Sequence, residues 1–556
     1  MFNTAELFPY PFRSDFEKPV AYFSMEFAID QALKIYSGGL GFLAGSHMRS
    51  AYELHQNLVG IGILWKYGYY DQERNRDGSL RVNYVQKDYY FLEETDIRFT
   101  IEIHHHPVHV KVWLLKPEIF GTAPVFLLST DMPENDFLAQ TITHRLYDHH
   151  ESARIAQSIL LGYGGAKLLD ILGRKTDIYH MNEGHALPLC FYLLKKFNYD
   201  LQAVRDHVVF TTHTPEKAGN EEHEISMLDV MGFFQGAPSD LIHSLAADEK
   251  IFNYTLAALR LSGKANGVSK LHGQVATDMW KSFDRTASVI SITNAQNKHF
   301  WMDEKLEACF LQQDVEGLMA RKKEMKKVLF KEVADQCGRI FSENILTIVW
   351  ARRFAAYKRA DLILRDLERF KKMVQHPDLP VQFIWAGKPY PEDQDSINRF
   401  NDIFYRVKEF SNCAVLTGYE IGLSGLLKRG SDIWLNNPKM FREASGTSGM
   451  TAAMNGSINL SIADGWVPEF AADEKNCFLF NFCVNPPMMV AADRETPGII
   501  AITWKHPILK AAPLLLTASC LCNSAALNHL SSSRKSMPPS NSATATTMTF
   551  SSIISM

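Results

Sequence analysis

No two cysteines in this chain have the CxxC spacing of a zinc or dithiol site, and the 8 cysteines show no close regular spacing except Cys520-Leu521-Cys522. Reduced, unbridged thiols are therefore expected. Charge of one sign is also missing. The formal net charge is -4, which excludes a general attraction to nucleic acid or to an anionic membrane, so any anion site must be local. Long apolar runs are absent as well. The longest, from Ala511 to Leu527, is broken by Thr, Ser, Cys and Asn, which argues against a membrane span. The first eighteen residues have neither the basic nor the apolar region of a signal peptide, and the expected location is the cytoplasm.

What remains is a chain of 556 residues, 46% hydrophobic and 22% charged. That is enough for two to four domains with large cores. Strand-like runs recur with helix-length segments between them. In the first half these are Val20–Met25, Val59–Trp65, Asp177–His185 and Val208–Pro215. In the second they are Ile345–Trp350, Val381–Lys388, Ala414–Leu416, Asp432–Leu435 and Ile458–Ile462. Alternating strands and helices predict an α/β fold with parallel sheets. The expected division is a Rossmann-like lobe over residues 1–300, a second over 301–480 and a divergent, low-complexity tail over 481–556. Shorter alternating runs near residues 81–130 predict an antiparallel insertion. The charged segment Glu304–Glu332 is expected to connect the lobes.

Three stretches point to chemistry. In Glu443–Thr451, a loop of small residues lies between a strand and a helix. Such a loop lets backbone N–H groups approach an anion, with Glu443 at its mouth to read hydroxyls. In Trp350–Arg359, four cations stand at a strand-to-helix junction. Arg353, as a planar fork, and Lys358, as a point charge, can converge on one anion. In Ser37–Gly45, Gly39-Leu40-Gly41 forms a turn whose amides can touch a ligand anion. The run formally fits a dinucleotide fingerprint but lacks its strand and its acidic partner. Asn182, His185 and His213 sit at strand ends, where open α/β sheets bind ligands. His104, His105, His106 and His109 do not read as a metal site, because neighbours on a strand face opposite ways, and no metal is expected.

These stretches, with Tyr67–Gln72, Met181–His185, Thr212–Thr214, Asn266–Val268 and Ile292–Asn294, run collinearly over residues 20–475 and resemble the α-glucan (glycogen, starch, maltodextrin) phosphorylase family in its short form. The resemblance implies two facing Rossmann-like domains of the GT-B type. It also implies reversible phosphorolysis of a terminal α-1,4-linked glucose to glucose 1-phosphate, with α-glucan and inorganic phosphate as partners and a second copy of the chain as a candidate one. Arg353, Lys358 and His213 would be catalytic. Gly39, Leu40, Asn294, Glu443, Ser445 and Gly446 would bind substrate. Arg352, Thr447, Ser448 and Thr451 would surround pyridoxal 5'-phosphate. The family's Schiff-base lysine falls where this chain has Thr451, and a hydroxyl forms no imine. A retaining sugar-nucleotide glucosyltransferase and an inactive glucan-binding homologue are the alternatives.

Overall fold

A computed structural model describes residues 7–216 and 219–480. The low-complexity reading after residue 480 lies outside the described residues, as does Cys520-Leu521-Cys522. Two compact units emerge. Among the described residues, one runs through Asp71 and over Asn83–Asn297; the other comprises Gln72–Val82 and residues 298–480.

The first unit is built on a nine-stranded sheet. Its strands are β1 (Val20–Phe23), β2 (Leu58–Ile63), β3 (Glu93–Ile103), β4 (His106–Leu115), β5 (Val125–Ser129), β6 (Ile178–Asn182), β7 (Val208–Thr211), β8 (Lys264–Gly267) and β9 (Val289–Ser291). Their spatial order is β9-β8-β7-β6-β1-β2-β5-β4-β3. Seven are mutually parallel, whereas β4 pairs antiparallel with both β3 and β5. The antiparallel excursion is thus confined to β3 and β4, and β5 returns to the parallel core beside β2. Helix α1 (Gly39–Glu53) crosses over the sheet. It comes so close to the segment after β1 that a Cβ on Gly45 would stand 1.9 Å from the Ala28 carbonyl oxygen, which only glycine avoids.

The second unit holds a six-stranded, all-parallel sheet: β10 (Leu346–Ala351), β11 (Val381–Ala386), β12 (Cys413–Leu416), β13 (Ile433–Asn436), β14 (Ile458–Ser461) and β15 (Cys477–Leu479). Its order, β12-β11-β10-β13-β14-β15, reads 3-2-1-4-5-6, the doubly wound dinucleotide-fold order. Strands buried on both faces read as near-continuous apolar runs, and β10, β11 and β13 do so apart from Thr347, Gln382 and Asn436, one buried polar residue in each. Alternate residues enter opposite cores: Ile348, Trp350, Phe383, Trp385 and Leu435 pack on one side, Val349, Ala351, Ile384, Ala386 and Trp434 on the other.

The charged segment expected to link the lobes belongs instead to the second unit. Its main helix, α2 (Val315–Cys337), packs against α3 (Ile421–Gly430) and against β12. The reason is visible in its lysines. Buried Lys326 donates to Asp432 Oδ2 at 2.5 Å and to the Ile345 carbonyl at 2.8 Å, and Asp432 Oδ2 also accepts the Thr347 N–H at 2.8 Å. One buried ion pair therefore staples α2 to the starts of β10 and β13. A partner removed from such a pair leaves an uncompensated buried charge. Lys326→Met should destabilise the second unit by about 3–5 kcal/mol, read as a shift in its urea midpoint, while Lys327→Met, on the exposed face of the same helix, should move it far less.

Candidate active site

In the second unit the site forms where the strand order reverses, between β10 and β13. Arg352 follows β10 directly and is buried. One Nη1–H donates to Asn436 Oδ1 at the end of β13, and Nη2–H donates to the Leu435 carbonyl at 3.2 Å. Lys358 lies on the short 3-10 turn Ala356–Lys358 and donates from Nζ to Glu443 Oε2. Arg352 Nη1 lies 3.6 Å from the same oxygen. Burial on its own would raise the pKa of Glu443, but Lys358, Arg352 and the exposed Arg353 together hold it below the usual carboxylate range. The structure thus brings Arg352, Lys358 and Glu443 into one cluster, with Arg353 close enough to act on it through its charge.

The loop that carries Glu443 is pinned by a residue the sequence reading passed over. Asp464 accepts the N–H groups of Arg442 and Glu443 through Oδ2, at 3.1 and 3.0 Å, and that of Gly465 through Oδ1 at 2.8 Å. Gly446 then turns the chain with φ of 84°, the left-handed region that favours glycine, and helix α4 (Thr447–Met454) begins. The opening N–H groups of a helix have no partner within it, so Thr447 and Ser448 present a dipole end suited to an anion. Two buried polar atoms beside it, Arg352 Nε and Ser445 Oγ, have no hydrogen-bond partner among the described residues. The donor set fits a phosphate.

Thr451 does not fit a covalent pyridoxal phosphate. Its side chain is buried, and its hydroxyl turns back onto its own helix, toward the carbonyls of Ser448 at 3.1 Å and Thr447 at 3.3 Å. No amine stands there to form an imine.

In the first unit, Gly39 and Leu40 open α1, but the turn before them is already occupied. Buried Glu26 accepts the N–H groups of Ser37 and Gly38 at 2.7 and 3.1 Å, and the Tyr147 hydroxyl at 2.8 Å. An internal carboxylate thus takes the amides just before the glycine turn, and the helix-opening N–H groups of Gly39 and Leu40 are not among them. His213 receives a similar frame. Its N–H donates to Glu183 Oε2 at 2.7 Å, and its Nε2 meets Asn182 Oδ1 at 2.7 Å. A carboxamide oxygen only accepts, so Nε2 carries the proton. Burial lowers the ring pKa to about 3. At neutral pH His213 therefore offers a lone pair at Nδ1 rather than a proton. Asn182 in turn donates to Ser24 Oγ at 3.1 Å, bridging β6 and the end of β1. Asn294 is held by its own N–H, which donates to the Val268 carbonyl at 3.0 Å.

The cation-carboxylate cluster stands at the switch point of a doubly wound sheet, where open α/β folds bind their ligands. The family description "Carbohydrate phosphorylase" matches residues 291–511. Among relatives, the chain is 48% identical over 454 residues to an uncharacterized protein of Methanocaldococcus jannaschii, covering 82% of this chain and 86% of that one. It is 34% identical to the maltodextrin phosphorylase of Thermococcus litoralis, over 81% of this chain and 61% of that protein. It is 30% identical to the glycogen phosphorylase of Aquifex aeolicus, over 82% and 75%. The chain belongs to the carbohydrate phosphorylase family, whose α/β fold is of the GT-B type. Against the Thermococcus relative it spans less than two thirds of the length.

Asp464 generates a pH prediction. Burial, with the nearby Glu443 charge, raises its pKa from 3.8 to about 6 despite its three N–H donors. The folded state keeps this proton between those two values and the unfolded state does not. The contribution is therefore fully present below pH 3.8 and is lost as pH rises to about 6, by on the order of 3 kcal/mol. Urea unfolding of Asp464→Asn between pH 4 and 6.5 should lack that falling component. A variant whose pH profile parallels the parent's would contradict the assignment.

Proposed function

We propose that this chain transfers glucosyl units between the end of an α-1,4-glucan and inorganic phosphate, in the cytoplasm, as a glycosyltransferase of the phosphorylase type. The observation that carries the reading is the contact of Lys358 and Arg352 with Glu443 beside the opening of α4.

In the ligand-free state Lys358 and Glu443 neutralise one another. A phosphate drawn to Arg353 and the Thr447–Ser448 amides competes for Lys358, and the freed Glu443 carboxylate then accepts sugar hydroxyls. Anion and sugar thus favour each other's binding. Phosphate brings its own exchangeable proton. That proton passes to the departing glycosidic oxygen as the C–O bond breaks, and a phosphate oxygen then bonds to the anomeric carbon. Arg353 and Lys358 hold the anion against the positive charge that develops on the sugar ring. Ser445 and Gly446 are the proposed sugar contacts of the second unit, and in the first unit His213, Asn294, Gly39 and Leu40 are sugar-binding candidates through the family resemblance.

Thr451 supports a second reading. Without an imine-forming residue, a donor that carries its own diphosphate also suits the cation set, which makes a retaining sugar-nucleotide glucosyltransferase the alternative. A maltodextrin assay separates the two: glucose 1-phosphate formation from phosphate supports the first, release of nucleoside diphosphate the second. Glucan binding with neither product would leave a noncatalytic homologue.

Lys358→Ala should lower kcat/KM by a transition-state cost of about 2–5 kcal/mol. An unchanged value would reduce Lys358 to a counter-ion of Glu443. Thr451→Lys supplies the missing amine. Incubated with pyridoxal phosphate and then borohydride, it should gain one reduced adduct by intact mass, whereas the parent chain gains none at that position.

A further inference from the structure

Under the segment that ends the first unit lies a cavity of about 90 Å³. Helix α1 supplies Ser46 and His47, the loop after α1 supplies Gln56, β6 supplies His180, and the segment after β9 supplies Asn294 and Gln296. No Asp, Glu, Lys or Arg lines it.

The wall is neutral for a physical reason. Burial lowers the pKa of His47 to about 4 and that of His180 to about 3. The Thr211 hydroxyl donates to Asn266 Oδ1 at 2.8 Å, so it must accept from His180 Nε2, also at 2.8 Å. That fixes the uncharged tautomer with its proton on Nε2. Charged ligands are disfavoured, because nothing here compensates a buried charge.

Two donors ask for an acceptor. Gln56 and Gln296 are 1% and 4% exposed, and the side-chain nitrogen of each has no hydrogen-bond partner among the described residues. The Ser46 hydroxyl donates to Gln296 Oε1 at 2.7 Å, which fixes that amide's orientation. A buried amide nitrogen left unmatched is costly, so an occupant should bring at least two accepting oxygens. The space exceeds what one water needs, so it admits a small molecule with several hydroxyl groups.

We propose that this cavity is a binding site for a small neutral polyol, either a free glycerol-sized molecule or the hydroxymethyl end of a sugar, whose oxygens accept from Gln56 Nε2 and Gln296 Nε2. Occupation would brace the segment 292–297 against α1, to which Asn297 already donates at Ser50 Oγ and Glu53 Oε1. It would also touch Asn182, the residue that orients His213. The proposal does not depend on which glucosyl donor the enzyme uses.

Glycerol is the probe, titrated against the full chain and followed by saturation-transfer NMR, with glycerate as the charged control and maltose as competitor. Saturable transfer to glycerol and none to glycerate is expected. Gln56→Leu and Gln296→Leu should each weaken it at least about tenfold. Ser46→Ala, which frees the Gln296 amide to rotate, serves if either fails to fold. Displacement by maltose would identify a sugar end as the occupant, and persistence beside maltose a free polyol; both support the site. Transfer that is absent, fails to saturate or survives all three substitutions would overturn the proposal and leave a water-filled cavity.

Discussion

A buried carboxylate needs hydrogen-bond donors or a cation, and Glu443 is held by two cations. Its oxygen is shared by Lys358 and Arg352. Much of the second unit's upper surface follows from keeping that arrangement in place. Asp464 accepts the backbone N–H groups of Arg442 and Glu443, Trp466 donates from its ring nitrogen to the Gly446 carbonyl, and Arg352 is tied to the end of the neighbouring strand by Asn436. Each tie costs conformational freedom, and together they hold the buried cations against the carboxylate and away from solvent.

The two units solve the same topological problem with different chemistry. In each, the parallel strands run outward from a central pair in opposite directions, leaving a crevice at the carboxyl ends of that pair. In the second unit the crevice is spanned by an arginine reaching an asparagine, Arg352 to Asn436. In the first it is spanned by an asparagine reaching a serine, Asn182 to Ser24, and the asparagine's other end steers an imidazole. One crevice is strongly charged; the other is populated by rings that burial keeps neutral, with His180 and His213 both well below their ordinary pKa.

The α/β class and the strands of both sheets were legible because buried parallel strands announce themselves as short apolar runs, as in Ile348-Val349-Trp350. Lys358 and Glu443 were legible because cations at a strand end and a small-residue loop are unusual enough in local sequence to imply an anion, but the sequence paired Lys358 with Arg353, whereas the structure sets buried Arg352 beside Glu443 and leaves Arg353 exposed. Glu26 and Asp464 were not legible. Each acts on backbone N–H groups rather than on a motif, and Asp464 lies about twenty residues beyond the loop it holds. Nor could spacing reveal that α2 belongs to the second unit, since Lys326 finds Asp432 across 106 positions of chain. Distant pairings of that kind are set by folding, and local pattern does not carry them.

The residues Gln72–Val82 belong to the second unit while the chain on both sides belongs to the first. Gln72 donates to the Gly387 carbonyl and accepts from Gly418, and Arg74 lies over the Phe404 ring, so the excursion is knit firmly into its host. Among the described residues the backbone consequently passes from one body to the other three times. A single protease nick near Asn297 would not free either half, and neither could be made alone by truncating the gene at one point. Ribosomal synthesis also delivers this small patch of the second body more than two hundred residues ahead of the rest, and its packing must wait for a partner not yet made.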